Sequence, residues 1–251
     1  MNKKEKAIKV LLDRALENYA HAGFIDADPI QIPHRFTLKQ DIEIAGLFAA
    51  LFAWGQRKTI IAKCTELMQR MDNAPYDFVL NHSSNELKSL ESFVHRTFNG
   101  TDLLYTIDFL QRNYTQFESL EEAFVPSKKY KDSDTGEALR NFHSHFTNSE
   151  YFPKRTEKHI ASPAKGSSCK RLNMYLRWMC RTNAEGIDFQ LWNKIKPHQL
   201  VCPLDVHVMR VSEKIGLCTF ESNAWENALK LSNKQKQCDP QDPIKYDLAL
   251  F

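Results

Sequence analysis

The sequence predicts an all-α protein, and three observations support this fold class. The 251 residues include 42% hydrophobic residues, enough apolar material to close a sizeable core. Only 8 glycines and 10 prolines are present, which favours long helices over the many tight turns of a β-sandwich. Apolar residues recur at helical spacing in several segments. Because no repeat or low-complexity linker interrupts the chain, we predict one compact unit, residues 1–251, with two helical lobes.

The first part of the chain predicts helices separated by short loops. Residues 4–19 have the apolar spacing of an amphipathic helix, and a loop follows at 26–36. Thr37 is predicted to cap the next helix, with Gln40 completing a capping box. Residues 42–54 are apolar nearly all round, so this helix is predicted to lie in the centre of the core.

A short basic turn, residues 55–58, is predicted to end that central helix. The next amphipathic helix is predicted over residues 59–71. Further helices are predicted at residues 75–80, 102–117, 120–124 and 135–146. Residues 127–136 are the most loop-like segment, and we expect them at the surface.

Basic residues concentrate between residues 153 and 181. This segment has eight lysines and arginines against one glutamate, whereas the net charge of the whole chain is +3. At 100° per residue, Lys170, Arg177 and Arg181 share one side of a helix whose other side is apolar. A solvated helix face is one interpretation. The small-residue loop 162–168 favours a phosphate site instead, since such loops offer backbone N–H groups to an anion.

A second segment, residues 200–217, predicts a helix that begins after Asp205 and ends at Gly216. Taken alone, Asp205 is either a structural N-cap or a functional carboxylate. His207 is likewise either an ordinary first-turn histidine or a phosphate contact.

Together these segments resemble the helix-hairpin-helix superfamily of DNA glycosylases. In that family a loop and helix carry a catalytic lysine, and an apolar-Pro-x-Asp-x-His-apolar-x-Arg-apolar stretch carries a catalytic aspartate. Lys170 and Pro203-Leu-Asp-Val-His-Val-Met-Arg-Val211 match in order and type. Among active enzymes the chain is most similar to 8-oxoguanine DNA glycosylases, especially the archaeal branch. Overall it looks most like an uncharacterised bacterial family at the edge of this superfamily.

The resemblance implies a two-lobed, all-α, glycosylase-like fold, with residues 153–217 as a helix-hairpin-helix-like segment that carries the active site. It implies a DNA repair enzyme that excises a damaged, oxidised purine-like base through a Schiff base on Lys170. Asp205 would be the catalytic carboxylate. The same intermediate allows AP-lyase activity. The implied partner is double-stranded DNA with a damaged base, and no cofactor or metal is implied.

The resemblance also suggests which residues contact the substrate. The expected DNA contacts are Arg57, Lys58, Lys165, Gly166, Ser167, Arg177 and His207. The expected base pocket consists of Trp54, Gln56, Asp247 and Phe251. Structural alternatives stay open for two of these, because Trp54 can belong to the core and Asp247 can be a cap or a surface ion pair.

A second functional class also stays open. Pro163-Ala-Lys-Gly166 stands where the family carries Leu-Pro-Gly-hydrophobic-Gly, which favours a non-catalytic DNA-binding protein that keeps the fold. The presence of both Lys170 and Asp205 favours an enzyme. A metal-dependent hydrolase is disfavoured, because neither a His-x-x-x-His nor a His-Asp pair occurs.

The composition also indicates where the protein works. No run of about 18 apolar residues is present, and the charged N-terminus does not resemble a signal peptide. The six cysteines form no Cys-x-x-Cys pair, so we expect no disulfide, zinc site or iron–sulfur cluster. We expect a cytoplasmic monomer that associates with the bacterial nucleoid while it acts, and no contact with a membrane.

Overall fold

The computed structural model describes residues 1–21, 23–125, 130–181, 186–221 and 223–250. In this part of the chain the all-α prediction is confirmed, since one hairpin of two short strands is the only β-structure. The α-helices are α1 (Lys3–Tyr19), α2 (Gly23–Ala27), α3 (Lys39–Phe52), α4 (Arg57–Arg70), α5 (Pro75–Asn81), α6 (Ser84–Leu90), α7 (Gly100–Gln116), α8 (Glu121–Phe124), α9 (Gly136–Thr147), α10 (Lys170–Cys180), α11 (Val206–Lys214), α12 (Ala224–Cys238) and α13 (Asp247–Leu250). The strands are β1 (Val94–His95) and β2 (Phe98–Asn99).

The chain divides into two compact units. The first, here called the terminal unit, comprises Met1–Asp26, Lys129–Arg140 and Ala161–Phe251. The second, the middle unit, comprises Ala27–Lys128 and Asn141–Ile160. The predicted helix-hairpin-helix-like segment, residues 153–217, includes residues of both units. Its residues 153–160 belong to the middle unit and the remainder to the terminal unit.

Helix α3 forms the centre of the middle unit, as its apolar sequence predicts. Every residue from Ile42 to Phe52 is buried, and the helix packs against α4 and α5. The one charged residue in this stretch, Glu43, accepts hydrogen bonds from the hydroxyls of Tyr114 and Ser119 and from a backbone N–H. These hydrogen bonds satisfy both carboxylate oxygens and join α3 to residues of and after α7.

The predicted cap of α3 is wrong. The helix begins after Leu38, and no side chain caps it. Gln40 instead donates through Nε2 to the carbonyl oxygen of Glu118 at 2.9 Å. The side chain that the local pattern assigns to a capping box with Thr37 thus makes a tertiary hydrogen bond, which sequence spacing does not show.

The β-hairpin before α7 is absent from the sequence prediction. Val94 pairs with Asn99 and His95 with Phe98, so the connecting turn has two residues. Strands of two residues are too short for an alternating pattern to identify them. Asn99 then caps α7, and Asp102 closes the capping box.

Asp102 also fixes the segment that follows α9. Its buried carboxylate accepts hydrogen bonds from Thr156 Oγ1 at 2.7 Å and from Arg155 Nη1 at 2.6 Å. Arg155 further donates through Nη2 to the carbonyl oxygen of Thr97 in the hairpin turn at 3.2 Å. One arginine of the basic segment 153–181 is therefore neutralised inside the middle unit.

In the terminal unit, α1 packs against α13 and against the 3-10 turn Pro243–Tyr246. The Tyr246 hydroxyl donates to Asp13 of α1 at 2.9 Å. Helix α12, which the sequence prediction omits, packs on the same turn. Its start signal is Asn223, whose side chain accepts hydrogen bonds from two N–H groups of the first turn.

None of the helices in the described ranges combines the length and apolar character that crossing a membrane requires. The six cysteines are not joined in disulfides.

Candidate active site

Lys170 is the first residue of α10, and a tight loop leads into it. A 3-10 turn, Pro163–Lys165, is followed by Gly166 in the left-handed conformation, with φ 71°. Cys169 is also left-handed, with φ 51°, and directly precedes the helix. The loop therefore fixes the point at which the Lys170 side chain leaves the backbone, and that side chain is 32% exposed.

Asp205 is the N-cap of α11, and its two carboxylate oxygens have different partners. Oδ1 accepts the N–H of Val208 at 2.8 Å, which caps the helix. Oδ2 accepts a hydrogen bond from Lys170 Nζ at 2.6 Å. Ser168 Oγ donates to the carbonyl oxygen of Leu204 at 3.2 Å and joins the same two segments. The structure thus brings the two predicted catalytic residues into direct contact.

The surroundings of Asp205 favour its charged form. Partial burial raises the pKa of this carboxyl, but the hydrogen bonds from Lys170 and from backbone N–H groups of α11 lower it more. The net pKa of Asp205 lies below the usual value for an aspartate. The site therefore presents a carboxylate and an amine within hydrogen-bonding distance, partly open to solvent.

Asp247, a predicted pocket residue, is buried in the same unit at the start of α13. Arg177 Nη1 donates to its Oδ2 at 2.6 Å, and Cys202 Sγ lies 3.8 Å from its Oδ1. Burial raises the pKa of Asp247, while the positive charges of Arg177 and Lys170 act against this rise. Asp247 is thus a second carboxylate of the terminal unit, and it forms its ion pair with Arg177.

The prediction that Arg177 contacts DNA from an exposed basic face is wrong. Arg177 and Arg181 are 3% and 4% exposed. Arg181 pairs with Asp188 and with Asp242, at 2.8 Å in each case, and Arg177 lies 3.4 Å from Asp188. Aspartates from other segments neutralise this side of α10, so it can be buried like the apolar side.

Asp188 and Asp242 are residues that the sequence analysis did not select. Both lie in irregular segments, where helical spacing provides no information about contacts. A usable signal was present in α10, since two arginines one turn apart in a largely apolar helix require acidic partners if the helix is buried.

The other predicted DNA contacts of the terminal unit lie near Lys170 in the chain or beside Asp205. Lys165, Gly166 and His207 are exposed. A Cβ at Gly166 would meet no atom within 4 Å, so the loop is open on that side. Ser167 Oγ accepts the N–H of Cys169 at 3.1 Å, which engages this hydroxyl within the loop.

The remaining predicted contacts belong to the middle unit. Gln56, Arg57 and Lys58 are exposed. The basic turn is shorter than predicted, because α4 begins at Arg57 rather than at residue 59. Trp54 is half-buried, and the guanidinium of Arg96 lies over its ring at 4.8 Å from the centroid. Arg96 was not selected from the sequence, since it belongs to no motif.

Phe251, the last predicted pocket residue, lies outside the described residues. Within the described ranges, no group of three or more histidines, cysteines, aspartates or glutamates is arranged to hold a metal ion.

A family model described as "Protein of unknown function (DUF2400)" matches residues 28–251 of the chain. The matched region includes Lys170, Asp205 and Asp247 as well as the basic turn after α3. No curated protein and no solved structure matches the chain.

Proposed function

The chain belongs to DUF2400, a family of unknown function, and from its own residues we propose that it is a DNA repair glycosylase. In this proposal it excises a damaged, oxidised purine-like base from double-stranded DNA. The activity proceeds through a Schiff base on Lys170 and includes an AP-lyase step.

The observation that carries the proposal is the 2.6 Å contact between Lys170 Nζ and Asp205 Oδ2. Base excision needs a nucleophile for the sugar C1′ and an anion that stabilises the positive charge developing on the sugar. A lysine and a carboxylate that retains its charge supply these two functions. Both side chains are partly exposed, so a substrate atom can reach them.

The bond changes follow from the two groups. Lys170 must first lose a proton, which its hydrogen-bond partner Asp205 can pass on to water, so that the carboxylate is charged again when the glycosidic bond breaks. The amine lone pair then forms the N–C1′ bond, and the base leaves with the electron pair of the glycosidic bond and takes up a proton. Cleavage of the C1′–O4′ bond then opens the sugar ring, O4′ takes up a proton, and C1′ and the lysine nitrogen form the protonated Schiff base. Loss of a C2′ proton to water expels the 3′ phosphate by β-elimination. Hydrolysis by water releases Lys170.

Asp205 has the geometry of an electrostatic stabiliser in this scheme. Its Oδ1 is held by the Val208 N–H, so the carboxylate is oriented before substrate binds. Charged groups fixed in advance stabilise a transition state without the cost of reorganisation. A base inside a duplex cannot reach such a site, so the substrate nucleotide must be extruded from the helix.

A second candidate is a DNA-binding protein without excision activity. The observation that favours it is the double use of Asp205, since an N-cap joined to a lysine is a complete structural unit without any substrate. The two candidates share DNA as a partner and differ only in chemistry at Lys170.

Borohydride trapping distinguishes the two. The full-length chain is incubated with a panel of duplex oligonucleotides, each with one lesion, and reduced to capture any Schiff base. We expect a covalent adduct with at least one oxidised-purine duplex, and no adduct from Lys170→Ala or Lys170→Gln. Lys214→Gln, at an exposed lysine that ends α11, is the matched control and should retain the adduct. An undiminished adduct in both Lys170 variants, or none with any lesion, would reject the enzyme proposal.

A further inference from the structure

Arg96 occupies an unusual backbone position in the middle unit. It is the first residue of the two-residue turn between β1 and β2, and its φ is 56°. Such turn positions favour glycine, asparagine or aspartate, because a larger side chain is strained there. Arg96 departs from this preference.

The guanidinium of Arg96 is held in one place by its surroundings. One face lies over the ring of Trp54, at 4.8 Å from the centroid. Its edge lies against Gly55, where a Cβ would clash with Nη1 and where φ is 110°. Only glycine at position 55 therefore allows this packing. Arg96 as a residue nevertheless remains exposed.

The base of the turn is fixed as well. The ring of His95 packs on Phe52 at 5.1 Å, and its Nε2 lies 3.1 Å from the Phe52 carbonyl oxygen. On the other side, Arg155 donates to the carbonyl oxygen of Thr97. The backbone on both sides of Arg96 is therefore held in place.

Positive charge continues from this turn into α4. Arg57 and Lys58 are exposed in the first turn of that helix, which Gln56 separates from Gly55, and that turn has no acidic residue. Among the described residues, neither Lys58 nor Arg96 has a carboxylate within salt-bridge distance. The exposed charges of Lys58 and Arg96 therefore attract a polyanion.

We propose that Arg96, Arg57 and Lys58 form a binding surface for the phosphodiester backbone of duplex DNA. A planar guanidinium can donate two parallel hydrogen bonds to one phosphate, and stacking on Trp54 leaves its outer edge available for this. This inference rests on the proposed function in one respect, the choice of DNA as the polyanion that binds. It does not depend on the chemistry of Lys170.

Equilibrium binding of the full-length chain to undamaged duplexes tests the surface. Two duplexes of unrelated sequence are titrated at several salt concentrations with wild type, Arg96→Gly and Lys58→Ala. We expect each variant to bind about three- to tenfold more weakly, and the salt slope to fall by about 0.9 per lost phosphate contact. Both duplexes should lose affinity equally, because phosphate contacts carry no base information. The matched control is Lys88→Ala, an exposed lysine of α6 in the same unit, which should bind like wild type.

The Arg96→Gly variant separates binding from folding. Glycine adopts the left-handed turn conformation without strain, so the Tm of this variant should be unchanged or raised while its DNA affinity falls. The inference would be overturned if both variants kept the wild-type affinity and salt slope. It would also be overturned if their loss of affinity equalled that of Lys88→Ala, or if affinity fell for only one of the two duplex sequences. Borohydride trapping at Lys170 is a separate measurement. Adduct formation can be absent while the variants still show weaker DNA binding, and an adduct can form while the variants bind DNA like wild type.

Discussion

Asp205 joins the start of α10 to the start of α11 through the two oxygens of its carboxylate. Oδ2 accepts from Lys170 Nζ at 2.6 Å, and Oδ1 accepts from the first turn of α11 at 2.8 Å. The aspartate that starts one helix thereby holds the first side chain of another. Under the proposed function Asp205 would serve both catalysis and helix capping, and substitutions can separate the two.

Asp205→Asn should reduce base excision strongly while leaving the fold intact. Asparagine caps a helix about as well as aspartate, so the free energy of unfolding should change by less than about 1 kcal/mol. Loss of the negative charge should lower single-turnover excision by about a hundredfold or more. Asp205→Ala, the comparison variant, should lose stability as well as activity. If Asp205→Asn excised bases at the wild-type rate, Asp205 would have no catalytic role and would act only as a helix cap.

The contribution of Asp205 to stability should depend on pH. Because the net pKa of this carboxyl is lowered in the folded protein, its contribution is present above the unfolded pKa of about 4 and is lost as pH falls through the folded value. The difference in unfolding free energy between wild type and Asp205→Asn should therefore shrink as pH is lowered from 7 to about 3. Urea unfolding at each pH measures it. A difference that grows towards acid pH would contradict the assigned shift.

Arg177→Met should destabilise the protein far more than a surface lysine substitution. The change leaves Asp247 buried without its cation, and breaking a buried pair in this way costs about 3–5 kcal/mol. Lys165→Met, on the exposed loop, should change stability by about 0.5 kcal/mol or less. Urea unfolding gives both values. Equal stability of the two variants would show that Arg177 is not needed for the core of the terminal unit.

Gly166→Ala should show the backbone requirement of the loop before Lys170. The left-handed φ of 71° costs alanine about 1–2 kcal/mol, although the space around the site is open. Gly166→Asn should lose less, because asparagine tolerates this conformation better. Thermal unfolding ranks the three proteins. A stable Gly166→Ala variant would mean that the loop adopts another conformation in solution.

Helices with strong periodic patterns could be predicted from local sequence, whereas their partners could not. The apolar run of α3 correctly indicated a central helix, because a helix that is hydrophobic all round must be enclosed. The start of the same helix was misplaced, because Gln40 bonds to a residue far along the chain. The hairpin that presents Arg96 left no periodic signal, since each strand has two residues.

The sequence by itself determined the all-α class, the position of Asp205 at a helix start and the candidate pairing of Asp205 with Lys170. These depend on spacing and on capping chemistry, which act over a few residues, and on a motif in which lysine precedes aspartate. Only the tertiary structure decided the surroundings of Arg177 and Arg181. Their helix has the same periodicity whether that face meets solvent or Asp188, Asp242 and Asp247, and burial is set by segments that lie far away in the chain.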